Sequence, residues 1–222
     1  MKKLWLVLLV LLIGGLCGIS WAEPTDCDCN CGKISRTMEV PNEDGQLSNA
    51  FIADGKAYMN IYLNISDYTS KDFWNDIAIL KLRDIRDIEL YISSGGGNAT
   101  AGLALADQIE MAKRAGFAIN AHASGIIASA TVPVFAVCSK RYAAEGTIFM
   151  VHEATIFKFF SNESKSDIKS QNALMELLTN KYMDKLTKYS NITVEQWEEY
   201  ERDTTWFDAH TAKKWGLVDE VE

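Results

Sequence analysis

The chain has 222 residues, of which 48% are apolar and 23% charged. That fits one folded domain with a sizeable core and excludes disorder over most of its length. Thirty acidic residues against 22 basic ones leave a net charge of −8 with no basic block to offset it, which excludes a nucleic-acid partner, since phosphate affinity rests on Lys and Arg.

The N-terminus carries Lys2 and Lys3 ahead of an apolar run that begins at Leu4. Small residues at Ser20 and Ala22 complete the pattern of an export signal over residues 1–22. The stretch 4–19 is short of the ~20 residues of a spanning helix, so cleavage is expected, with retention as a membrane anchor the alternative. Residues 23–55 are polar and read as an arm or linker before a domain at 56–222. Cys27, Cys29 and Cys31 lie in that arm. Thiolates bind zinc or copper, but three ligands at alternate positions are too cramped to close a tetrahedral site alone. A disulfide-bonded or redox-labile tail is the simpler reading, and no metal is expected. Cys138, in an apolar run, reads as an inert core thiol.

Beyond the arm, strand and helix alternate. Tyr58–Ile65 alternates apolar and polar residues as a strand does. Ser66–Lys81 follows as a helix with Phe73, Ile77 and Leu80 on one face. Ile88–Ser93 is a strand, Gly95-Gly96-Gly97 breaks the chain, and Ala99–Ala115 is a helix closed by Gly116. Phe117–Ala123 is a strand, Ile126–Cys138 a helix of small and apolar residues, and Thr147–Val151 a buried strand. Ser166–Tyr189 forms a long amphipathic helix, Thr193–Glu201 and Ala209–Trp215 shorter ones, and Leu217–Val221 a last strand. The alternation predicts an α/β fold of right-handed β-α-β units.

Three segments could carry chemistry. In Gly125-Ile126-Ile127-Ala128-Ser129-Ala130 a serine opens a helix after a strand, where free backbone N–H groups can face an oxyanion. Ser94-Gly95-Gly96-Gly97-Asn98 also joins strand to helix, and its glycines let backbone amides approach a ligand. It lacks the lysine of a phosphate loop. Phe149-Met150-Val151-His152 ends a buried strand on an imidazole, the natural base for a serine hydroxyl. His122 reads as packed within a strand and His210 as solvated. Each segment alone is as well explained by packing or a plain turn.

Together they resemble the Clp protease proteolytic subunit family. Ile92-Ser93-Ser94-Gly95-Gly96-Gly97-Asn98-Ala99-Thr100-Ala101-Gly102 resembles its Ile-Asn-Ser-Pro-Gly-Gly and Thr-Ala-Gly segment, with Gly95 in place of proline. Gly125–Ala130 resembles its nucleophile turn. Lys140-Arg141-Tyr142 with Met150-Val151-His152-Glu153, then Glu201-Arg202-Asp203 and Trp215-Gly216-Leu217-Val218-Asp219, follow in the family's order. The resemblance implies the Clp protease/crotonase fold, a repeated β-β-α superhelix with a protruding handle of strand and long helix. It implies Ser129 as nucleophile, His152 as base and the backbone N–H groups of Gly97 and Ala130 as oxyanion hole, with no cofactor. The family's orienting aspartate falls by spacing on Thr204; Asp203, one residue upstream, is the expected orienter, and Asp208 a helix cap. The implied substrates are peptides or unfolded proteins, cleaved by a homo-oligomer. Ile156, Phe157, Phe159 and Phe160 lie in the ring-contact region. An exported enzyme would have no access to a cytoplasmic ATP-driven unfoldase. The competing readings are a crotonase-type acyl-CoA enzyme, which would use carboxylates, and a non-catalytic binding or scaffold protein.

Overall fold

The computed structural model describes residues 46–155 and 164–222, all within the compact unit Glu39–Glu222. The export signal, Cys27, Cys29 and Cys31, and the Ile156–Phe160 patch lie outside the described residues. The first strand, β1 (Ala50–Ala53), pairs antiparallel with β2 (Lys56–Tyr62). Asp54 and Gly55 both take positive φ, 50° and 76°, the signature of a two-residue turn whose twist matches the strands. This hairpin falls partly in the stretch expected to be linker. Asp76, fully buried on the first helix, holds it in place by accepting the amides of Ser48 and Asn49 at 2.6 and 2.9 Å. Burial nevertheless leaves that carboxyl above its ordinary pKa.

The sheet runs β1-β2-β3-β4-β5-β8, with β3 (Asp87–Ser94), β4 (Ala118–Ala128), β5 (Lys140–Ala143) and β8 (Glu220–Val221) parallel to their neighbours. β4 is shared. Its first half pairs with β5, and Ile126–Ala128 pair with β6 (Ile148–Val151), which in turn pairs antiparallel with β7 (Thr205–Asp208). Besides β1, two strands, β5 and β7, are absent from the sequence expectation. Both are four residues long with half-exposed patterns, too short for alternation to declare itself.

One face of the sheet is apolar. Ile88, Leu90 and Ile92 of β3 and Ile119 of β4 are fully buried under α1 (Asp67–Leu82) and α2 (Ala99–Arg114). The α1 start is fixed by a reciprocal cap between Ser66 and Thr69, and α2 by the Asn98 carboxamide, which accepts the amide of Ala101 at 3.0 Å. The other face is polar and aromatic. His122 stacks between Tyr91 and Tyr142 and meets Glu89 at 2.9 Å, so it is packed as expected. His210 is exposed. Cys138 is fully enclosed, and burial pushes its thiol up to about 12, which makes it inert.

All six residues of α3 (Thr131–Ala136) are buried, so this short helix is the hub of the core. An aromatic cluster joins it to the C-terminal elements: Phe135, Phe149, Phe207, Trp215, Tyr200 and Trp197 touch in sequence, linking α5 (Val194–Arg202) and α6 (Ala209–Lys214) to β6 and β7. Of the 24 residues of α4 (Lys165–Lys188), only Met183 and Leu186 are buried, while Ile168, Leu174 and Leu177 are exposed. At 1.5 Å per residue this helix spans about 36 Å, and its bare N-terminal part is the expected handle.

Ion pairs anchor the C-terminal end of α4. Lys185 reaches Glu110 and Asp107 of α2, Lys188 meets Glu110 at 2.7 Å, and the Tyr189 hydroxyl donates to Glu110 at 2.6 Å. Burial works against the Glu110 charge, but Lys185, Lys188 and Tyr189 outweigh it and bring the carboxyl down to about 2. A depressed carboxyl stabilises the fold above its ordinary value of 4.5 and loses that contribution as pH falls toward 2. Replacing Glu110 with Gln should therefore cost about 1–2 kcal/mol at pH 7 and little at pH 2, measured by urea unfolding; the figure is discounted because solvent still reaches Lys188.

Candidate active site

Parallel strands finish at one edge. Ser94 of β3 is paired with Ile127 of β4, and Ala128 of β4 with Met150 of β6. The chain leaves these strands as the glycine loop, as the Ser129 turn and as His152, so the pairing delivers the three expected segments side by side. Ligands gather at the carboxyl ends of parallel strands for this reason.

Ser129 lies in the turn between β4 and α3, not inside a helix as the sequence suggested. β4 runs on through Ala128, held by Ser94 and Met150, so the helix starts only at Thr131. Ser129 takes φ +54°, a left-handed conformation that costs a residue with a Cβ about 1 kcal/mol or more. Its amide donates to Met150 O at 2.9 Å, and its carbonyl accepts the Tyr182 hydroxyl of α4 at 3.2 Å. Clamped at both ends, the turn aims the hydroxyl outward, where His152 Nε2 lies 2.9 Å from Ser129 Oγ. Both side chains are partly exposed, open to a substrate.

The glycine loop closes against this turn. A Cβ on Gly96 would stand 2.6 Å from Ser129 Cβ and 2.8 Å from Ala128 O, so only glycine fits there. At Gly97, with φ +146°, a Cβ would run into the Ile65 backbone. Ile65 grips the loop from both sides: its amide donates to Gly96 O at 2.7 Å and its carbonyl accepts from Asn98 N at 2.9 Å. The Gly97 N–H between them has no acceptor among the backbone hydrogen bonds of the described residues, and neither has that of Ala130. Ser94 completes the loop by donating to Leu63 O at 2.5 Å and accepting from Gly96 N at 3.2 Å.

Asp203 is not brought to the imidazole. It forms the C-cap of α5 and is exposed, and among the hydrogen bonds of the described residues none joins it to His152. The pairing register shows why. Val151 faces Thr205, so one step further His152 comes beside Thr204, whose φ of +52° turns the chain into β7. Asp208 caps α6, accepting from Thr211 N at 2.7 Å, as expected.

The acid that does reach this region is Glu201, which sequence reasoning overlooked. Only 6% exposed, it lines a pocket with Ser129, His152, Tyr182, Leu103, Pro133 and Leu178. Burial, with the charges of Glu153 and Glu198, pushes its carboxyl up to about 8. The sequence held one hint, an acid at the end of an amphipathic helix next to Tyr200. Among the described residues no group of three or more His, Cys, Asp or Glu side chains is placed to hold a metal ion.

The Clp protease family model matches residues 50–222. The chain belongs to the Clp protease family. It is similar to the ATP-dependent Clp protease proteolytic subunit 1 of Corynebacterium jeikeium, 29% identical over 188 residues that cover 83% of this chain and 96% of the relative. It is 33% identical over 141 residues to subunit 1 of Streptomyces coelicolor, covering 61% of this chain and 60% of that one. To subunit 2 of Thermobifida fusca it is 26% identical over 162 residues, 71% and 76% of the two chains. Membership makes the chain a serine-type peptidase and agrees with the mixed α/β architecture.

A raised carboxyl leaves the fold fully stable below its ordinary value of 4.5 and weakens it as pH climbs toward 8. Glu201→Gln should accordingly match wild type at pH 4 and exceed it by about 1–3 kcal/mol at pH 8.5, discounted for water entering the pocket. Thermal unfolding across that range checks it.

Proposed function

We propose that the protein is a serine endopeptidase that cleaves peptides or unfolded polypeptides through an acyl-enzyme on Ser129. The observation that carries this reading is the 2.9 Å contact between Ser129 Oγ and His152 Nε2 on a strained, clamped turn. His152 takes the hydroxyl proton as Ser129 Oγ attacks the scissile carbonyl. The N–H groups of Gly97 and Ala130 receive the developing oxyanion, and His152 then gives its proton to the leaving amine. Water, activated by the same imidazole, releases the acyl group. A crotonase-type site would place carboxylates here instead of this pair. With Asp203 outside the contact, the proposed machinery is the Ser129–His152 pair and the two amides.

Two further parts of the reading concern context. The apolar side chains exposed on α4, Ile168, Leu174 and Leu177, support assembly as a homo-oligomer. The Lys2-Lys3 start, the apolar run from Leu4 and the small residues Ser20 and Ala22 support work outside the cytoplasm without an ATP-driven unfoldase. Mass spectrometry of the protein recovered from its expressing cell should show an N-terminus at Glu23; an intact Met1 would remove the cleaved-signal proposal.

A fluorophosphonate probe tests the chemistry. Wild type should label at Ser129, and both Ser129→Ala and His152→Ala should lose labelling and at least roughly 10³-fold of peptide turnover. Asp203→Asn is expected to cost far less than His152→Ala. Labelling that survives Ser129→Ala refutes the nucleophile.

A further inference from the structure

Glu201 lines the pocket next to the nucleophile. That pocket is bounded by Ser129 and Ala130, within reach of the acyl-side residue, the one that supplies the attacked carbonyl. Its walls are aliphatic over much of their length, from Leu103, Pro133 and Leu178, with Tyr182 alongside. Glu201 is more than nine-tenths buried, and among the described residues no hydrogen bond reaches its carboxyl. Its position is fixed by the backbone, since its carbonyl accepts the amide of Glu153, in the segment that carries His152. A carboxyl held largely away from water without a donor is disfavoured in its charged form, and a ligand that brings a donor relieves this.

Resting on the peptidase reading above, we propose that Glu201 makes this site select an acyl-side lysine or arginine, whose cation meets the carboxyl. The charges around it favour the same guest. Glu153, beyond β6, and Glu198, on α5, share with Glu201 an adjoining cleft that Arg202 also borders. No ion pair joins Arg202 to Glu201 among the described residues, and no lysine or arginine is among the described residues that line the pocket beside Ser129. An acidic side chain would meet repulsion, and an apolar one would leave the carboxyl without a partner.

Proton linkage follows. Burial and the two neighbouring glutamates keep Glu201 protonated up to about pH 8 in the empty pocket. An entering cation takes the place of that proton, so selectivity for it strengthens as pH rises through 8 and fades only when lysine itself deprotonates, near 10.4.

The experiment uses fluorogenic peptides identical except for the acyl-side residue: lysine, norleucine as its uncharged counterpart, and glutamate. Wild type and Glu201→Gln are assayed between pH 6.5 and 9 in parallel with fluorophosphonate labelling. Wild type should prefer lysine over norleucine in kcat/KM by roughly tenfold at pH 8.5, about 1.4 kcal/mol of discrimination. That ratio should fall as pH drops, with glutamate turned over least. Glu201→Gln should flatten the pH dependence and bring the ratio to near one. A wild type that labels at Ser129 yet shows a ratio of one or less at pH 8.5, or an unchanged ratio in Glu201→Gln, overturns the selectivity and leaves the nucleophile standing. Should Glu201→Gln fail to fold, the pH profile of wild type decides alone: a flat ratio overturns the proposal. Absence of Ser129 labelling overturns the peptidase reading, and this inference with it.

Discussion

The site depends on the parallel pairing of β3, β4 and β6 at their carboxyl ends. Backbone hydrogen bonds between Ser94, Ile127, Ala128 and Met150 set the height of the neighbouring chains to within a residue. Because side chains alternate along a strand, a slip of one residue would turn His152 to the opposite face and bury what should be open. The register is locked by burial: Ile92, Ile127, Phe149 and Val151 are all fully enclosed, so any slip would expose core side chains. The geometry of a nucleophile and its base is thereby inherited from the packing of aliphatic residues that take no part in chemistry.

Around that edge, two glycines, a serine and an isoleucine backbone form a second frame. Ile65 grips the loop on either side of Gly97, and Ser94 ties Gly96 to the exit of β2. Rigidity is a requirement here, because a donor helps an oxyanion only if it already points at where the charge will appear. The loop meets it with short-range bonds to two neighbouring segments, so its shape does not rely on α2 alone.

Much of this was legible in the sequence. The elements α1, α2 and α4 follow from apolar spacing, while the caps at Ser66, Asn98, Ser164 and Thr193 that set helix starts are seen in the structure. Ser129, His152 and the glycine loop were legible as a set, because each ends a strand and their order is distinctive. What escaped had physical causes. Ile126–Ala128 are apolar enough for helix or strand, and only pairing with Ser94 and Met150 decides between them. Asp203 and Thr204 differ by one position, which no spacing rule resolves without the β6–β7 register. Glu201 was invisible as a pocket residue because a glutamate at a helix end is ordinarily solvated; the pocket that encloses it is built by α4 and by the segment after β6, far away along the chain.

The left-handed turn at Ser129 has a consequence for how this fold can change over time. A backbone with φ near +54° is comfortable for glycine and strained for any residue with a Cβ. The hydroxyl is thus kept at a position where the folded chain alone would favour its removal by about 1 kcal/mol. A lineage released from the need to react would drift toward a sturdier and silent protein at this one residue, with the surrounding frame intact. Serine at this position is in that sense a record of use, written in the backbone angle and not in the contacts.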